Sequence, residues 1–219
     1  ADAAVEGVAI VHYQGEHRIP LGRRNIKWLI DAGAGIQTQG FVLRLGFIRD
    51  LATAYQVLHD ERYAEAARDY LDEYMKAWPT DTIGQNNDAD NTLTLSGRYA
   101  LWSASLHILV KSPAFDPDFV ARVVVFIEAQ FRYLRANLKT GINWRVFEAR
   151  NLLTGSLYLP FLEPAEEWRR HAVGVLNDAW IRQFLPDGVH YERNPIYHTG
   201  MISTFCDLMK LTAHAGQMH

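Results

Sequence analysis

A single cysteine, Cys206, stands among 219 residues. That excludes an internal disulfide and any zinc site built from several thiolates. Long apolar runs are missing too: the longest, Val123 to Ile127, falls far short of the roughly 20 residues of a membrane-spanning helix. Charge of one sign is missing as well. Lys and Arg number 22 against 25 Asp and Glu, a net charge of −3, so no general basic field draws in nucleic acid or an anionic membrane, and a polyanion needs a local basic pocket. Walker and GxSxG motifs are absent, and Gly33-Ala34-Gly35 lacks the third glycine of a dinucleotide loop. His190-Tyr191-Glu192 begins like a zinc deaminase signature but has no paired cysteines to follow it. Asp88, Asp90 and Thr92 alternate like calcium ligands, yet the glycine and terminal glutamate of such a loop are not there. No metal or cofactor is expected in this chain.

What is present is ordinary globular material, 48% hydrophobic, enough to bury one sizeable core. Aromatic residues are well supplied, with 6 Trp, 10 Tyr and 10 Phe, and serve either as core or as stacking surfaces for sugars. The chain opens at Ala1 without Met or an apolar leader, which suggests a removed targeting segment or a cut at either end.

Helical periodicity dominates. Phe41, Leu45, Ile48, Leu51, Ala52, Tyr55 and Leu58 form one stripe, which predicts a continuous helix over 41–58. A second runs from Tyr63 to Trp78 and is stopped by Pro79. Between them His59-Asp60-Glu61 reads as a tight turn. A polar stretch from Thr80 to Asn91 reads as a surface loop. Further helices are predicted over 93–110, over 116–138 with Asp116 as cap and Pro117 in the first turn, over 144–158, from Pro164 to Phe184, and over 195–211. Val8 to Tyr13 is the one strand candidate, and His107 reads as an interior histidine. The class is all-α, built of antiparallel helix hairpins as a bundle, a solenoid or an α/α barrel. The whole of 1–219 is taken as a single domain or a fragment of one.

Two segments concentrate polar and aromatic groups at helix starts: Thr140-Gly-Ile-Asn143-Trp144-Arg145-Val-Phe-Glu148, and Asp187-Gly-Val-His190-Tyr191-Glu192-Arg193-Asn194-Pro-Ile-Tyr197-His198. In an array of antiparallel helices such junctions gather at one rim, so the two clusters are expected to share a cleft. By residue type alone each member also has a plainer role. Asn143 fits an N-cap, Glu148 a partner for a nearby Arg, Tyr197 a core aromatic, and His190 with Glu192 fit loop supports.

The strings NWRVFEARNLL, AEEWRRHA and QFLPDGVHYERNPIYH, in that order, resemble the heparinase II/III polysaccharide lyases and their alginate-lyase relatives. FVLRLGFIRDLATAY, DERYAEAA and SGRYALW upstream are similar to the same domain, so the likeness runs from about Trp28 to Leu211. The resemblance implies an incomplete α/α toroid, followed in the family by a β-sandwich domain that is not found in these 219 residues. It further implies an acidic polysaccharide or oligosaccharide as partner, no nucleic acid, and a periplasmic or secreted location. The implied reaction is β-elimination at a uronic acid. In it, a neutral amide or an Arg bonded to the sugar carboxylate stabilises the charge that develops as the neighbouring proton leaves. A phenol then serves as base and acid. An ordinary phenol has a pKa of about 10, so ionising it near neutrality costs about 4 kcal/mol unless cations lower it.

By the same resemblance Asn143 matches the neutralising amide and Tyr197 the base, with His198 assisting. Arg98, Trp144, Arg145, Glu148, His190, Glu192 and Arg193 are the implied substrate contacts. Trp144 stands where some members carry a His, which leaves the second base unassigned. Two rival readings are a glycoside hydrolase on an α/α barrel, using two of Glu148, Asp187 and Glu192, and a non-catalytic helical module that binds a glycan or a protein.

Overall fold

A computed structural model of the chain describes residues 1–12, 15–30, 35–86, 89–140 and 143–216. The all-α class holds: among the described residues the only sheet is a two-stranded hairpin. Contacts divide the chain into two compact units, Ala1–Tyr133 and Leu134–His219, where the periodicity alone suggests one.

The first unit opens with a short helix, α1 (Asp2–Val5), and the hairpin of β1 (Val8–His12) and β2 (Glu16–Pro20), paired antiparallel with Val8 opposite Pro20. β2 is new relative to the sequence reading. Its residues alternate only between exposed and half-buried, so no apolar period marks it.

The helix predicted over 41–58 is two helices, α2 (Gly35–Leu43) and α3 (Phe47–Leu58). Leu45 breaks it by adopting a left-handed φ of +49°. That conformation costs about 1–2 kcal/mol for a residue with a Cβ. It persists here because Leu43 and Leu45 are both fully buried by the turn it makes. His59, also left-handed, ends α3, and Asp60 starts α4 (Glu61–Ala77) by accepting the Arg62 N–H. Asn91 caps α5 (Thr92–Leu109) by accepting the Leu93 and Thr94 N–H groups. Asp116 accepts the Phe119 N–H at 2.9 Å as α6 (Pro117–Asn137) begins at its proline. His107 lies exposed on α5 rather than inside.

α3 packs on α4 and α5 around a core of edge-to-face rings, with Tyr74 5.3 Å from Trp28 and 5.5 Å from Trp102. Arg98 is embedded in that core. It is fully buried, 4.4 Å over the Tyr74 ring. Its guanidinium donates to the carbonyls of Leu43 and Ala89 and to the Tyr99 hydroxyl. Burial pushes the Tyr99 phenol up to about 12.

The second unit holds α7 (Asn143–Tyr158), α8 (Ala165–Gln183) and α9 (Pro195–Gly216), with α7 packed on both others. Leu152, Trp168 and Met201 are sealed among them. The expected Pro186-Asp187-Gly188 turn is present: Gly188 takes φ +83°, and Asp187 accepts the Val189 N–H at 3.0 Å. Among the described residues, no helix is long and apolar enough to cross a membrane.

Candidate active site

The start of α7, the last turns of α8 and the loop entering α9 meet at one end of the second unit. They enclose an open groove of about 630 Å³ whose polar lining is Thr140, Arg145, Asp178, Arg182, Gln183 and Tyr191. Members of both polar segments, Arg145 from one and Tyr191 from the other, therefore share a single groove.

The entry to α7 is fixed by Glu148, one turn inside the helix. Its fully buried carboxylate accepts the Lys139 N–H at 2.8 Å and ties the incoming chain to α7. That closes off Glu148 as a substrate contact: a buried acceptor already spent on backbone is structural. Asn143 is the first residue of α7, 8% exposed. Among the described residues no hydrogen bond engages its amide, so it is not spent as a cap. Trp144 and Arg145 follow, both half-buried.

The loop from α8 to α9 is assembled around His190. The imidazole is fully buried, with Nε2 3.2 Å from Gln183 Oε1 and Nδ1 accepting the Glu192 N–H at 3.4 Å. That network assigns a neutral ring carrying its proton on Nε2. Burial holds its pKa below the ordinary imidazole value, with Glu192 pulling the other way and His198 adding to the depression. The expected substrate contact at His190 is thus corrected to a loop support, because the ring has no surface to offer a ligand.

Tyr191 donates its N–H to the Gln183 carbonyl at 2.8 Å, and burial followed by the Glu192 carboxylate raises its phenol. Arg193 is left-handed at φ +52° and donates its N–H to the His190 carbonyl, leaving its side chain exposed. Glu192 is half-buried beside it.

Asn194 caps α9, accepting the N–H groups of Ile196 at 2.9 Å and Tyr197 at 3.4 Å. Tyr197 is 41% exposed, and among the described residues its hydroxyl makes no hydrogen bond. His198 accepts the His190 N–H on Nδ1 at 3.3 Å. Adjacent residues of a helix diverge by about 100°, so Tyr197 and His198 face different directions.

Arg98 leaves the list of substrate contacts. Every donor direction described above is spent inside the first unit, and no part of the side chain reaches solvent. Sequence reasoning missed the α8 contribution. Asp178 and Arg182 lie four residues apart on one face of α8, a spacing that was legible but reads as an ordinary solvated stripe, and Gln183 beside them is buried.

The family model described as Heparinase II/III N-terminus matches residues 3–219. A heparin-sulfate lyase of Pedobacter heparinus is 28% identical over 166 residues, covering 74% of this chain and 25% of that protein. A heparin-sulfate lyase of Bacteroides thetaiotaomicron is 27% identical over 168 residues, covering 76% of this chain and 24% of that one. The crystal structure of the heparan sulfate lyase HepC from Pedobacter heparinus superposes with a TM-score of 0.83 at 24% identity, over 99% of this chain and 33% of that chain. The likeness to that structure is one of fold. The chain spans about a quarter of the length of the curated relatives it matches.

Proposed function

The chain belongs to the heparinase II/III family, and on that footing we propose that it carries part of a polysaccharide lyase active site cleaving an acidic, uronate-containing glycan by β-elimination. The observation that carries the reading is the state of two side chains. The Asn143 amide and the Tyr197 phenol sit at the starts of two packed helices, and among the described residues neither makes a hydrogen bond.

In this mechanism the Asn143 amide donates to the uronate carboxylate, which spreads the charge that builds as the adjacent C–H bond breaks. Tyr197 takes that proton, the electron pair forms the C=C bond, and the glycosidic C–O bond breaks with a proton returned to the leaving oxygen. His198 assists by positioning: its Nδ1 bond to the loop fixes the first turn of α9, from which Tyr197 projects. Trp144, Glu192 and Arg193 offer a ring and charges to neighbouring sugar units. The heparin-sulfate lyases among its relatives support a heparin- or heparan-type glycan as the substrate class in this proposal. A C-terminal β domain of the same polypeptide completes the site in this proposal, and a periplasmic or secreted location brings it to the polymer. Hydrolysis has less support, because Glu148 is buried on a backbone N–H and Asp187 is spent on its turn.

The test is an ultraviolet assay for unsaturated uronate over heparan sulfate, alginate, hyaluronan and glucuronan, run on this chain and on one extended at its C-terminus. Product is expected from heparan sulfate, and Tyr197→Phe is expected to lower kcat roughly 10²- to 10⁴-fold. Activity that survives Tyr197→Phe, or saccharide release without ultraviolet absorbance, overturns the proposal.

A further inference from the structure

Gln183 is the last residue of α8 and takes part in no step of the elimination, yet it grips the loop to α9 at two consecutive residues. Its main-chain carbonyl, one of those that a helix C-terminus leaves without an intrahelical partner, accepts the Tyr191 N–H at 2.8 Å. Its side-chain oxygen faces His190 Nε2 at 3.2 Å, and the residue is 6% exposed although it lines the groove. An amide oxygen can only accept, so Nε2 carries the proton and Nδ1 is left bare. A bare Nδ1 is what the Glu192 N–H, 3.4 Å away, requires. The loop so held then orders a second ring. The His190 main-chain N–H donates to His198 Nδ1 at 3.3 Å, so that imidazole also keeps its proton on Nε2. These bonds specify one tautomer at each ring, and the segment they fix carries Tyr191, Glu192, Arg193, Tyr197 and His198 of the candidate site.

We propose that Gln183, acting through His190, is a positioning residue for the elimination: it latches the α8–α9 loop and the first turn of α9 in the arrangement that presents Tyr197, and acid releases the latch. The reaction it serves rests on the lyase reading, whereas the latch rests on the hydrogen bonds alone. Protonating His190 adds an N–H at Nδ1, which then opposes the Glu192 N–H, so an accepted bond becomes two donors facing each other and the loop has to shift. The titratable groups beside the ring are Glu192 and Tyr191 of its own loop and His198 of α9. From α8 the facing group is the uncharged Gln183 amide. Asp178 and Arg182 of that helix pair with each other in the groove, to which α7 brings Arg145. Gln183→Glu therefore keeps an acceptor opposite Nε2 and adds a negative charge that favours the imidazolium.

The experiment is nitrogen NMR of this chain labelled at its histidine rings, titrated with acid, beside the ultraviolet assay on heparan sulfate across the same pH range. Signals of His190 and His198 are identified by their loss in His190→Gln and His198→Gln. Both rings are expected to be protonated on Nε2 at about pH 8, above the imidazole range. Gln183→Glu is expected to move the His190 titration up by roughly one pH unit or more, and the acid limb of kcat is expected to move with it. Gln183→Leu, which removes the acceptor, is expected to lower kcat roughly tenfold with KM little changed. A residue that merely packs would lower activity at every pH and leave the His190 titration where it is. An Nδ1-protonated ring at either position, a His190 titration indifferent to Gln183→Glu, or an unchanged kcat in Gln183→Leu overturns the proposal. The expected tautomers and titration shift, with no unsaturated product from the parent chain, would sink the lyase reading and leave the latch standing. Unsaturated product from a chain whose His190 titration ignores Gln183→Glu would do the reverse.

Discussion

His190 shows how a single side chain can tie a loop's shape to pH. Its ring is neutral, sealed, and bonded at both nitrogens, and burial depresses its pKa below the ordinary value. An unfolded imidazole titrates at about 6.5. Between that value and the lower folded one the unfolded chain binds more protons, so stability rises with pH across the window. The contribution is complete above about 6.5 and is lost as pH falls below it. His171 is shifted the same way, by burial and then by Arg135 and Arg145, with Glu167 opposing. Chemical denaturation at about pH 7 and about pH 5 is therefore expected to show a loss of stability on acidification. His190→Gln, which cannot take up the proton, is expected to shrink that loss without abolishing it. An unchanged slope in the variant would show that His190 is not the sensor.

At the scale of elements, the junctions decide what the helices present. Gly188 is left-handed at φ +83° and a Cβ there would meet nothing within 4 Å. Gly188→Ala therefore isolates a backbone cost of about 1 kcal/mol. It is expected to lower stability by about that amount and to reduce kcat with little change in secondary structure. The measurements are denaturant midpoints, circular dichroism and the ultraviolet assay. Most junctions of this kind were legible beforehand. Asp116-Pro117, Trp78-Pro79 and Pro186-Asp187-Gly188 all carry residue types with fixed backbone preferences.

The break at Leu45 was not legible. A leucine has no sequence signature for left-handed φ, and the burial that stabilises it is a property of packing. The same holds for the site. Asn143 and Tyr197 were assigned through resemblance, and so were Glu148, His190 and Arg98 as substrate contacts, because a polar residue type gives no sign of burial. Asp178 and Arg182 were overlooked for the opposite reason: a charged stripe on a helix is what a solvated face looks like.

At the scale of the whole molecule, the second unit exposes several large apolar side chains. Ile181 is 77% exposed, Met209 72% and Trp180 47%, and Trp180 lies 4.5 Å from the Phe184 ring and 4.8 Å from that of Phe205. Contiguous apolar patches of this kind drive association. Sedimentation of the 219-residue chain is expected to show concentration-dependent self-association, and Ile181→Glu with Met209→Glu is expected to shift it toward monomer. A monomer at all concentrations would refute this. The first unit behaves differently because of Arg98. To assemble it, a guanidinium must shed its hydration shell before Leu43, Ala89 and Tyr99 can receive it. Water must likewise re-enter around the cation before that unit can come apart. Residues 1–133 are therefore expected to open more slowly with Arg98 in place than with Arg98→Met, a difference that the unfolding limb of denaturant-jump kinetics reads.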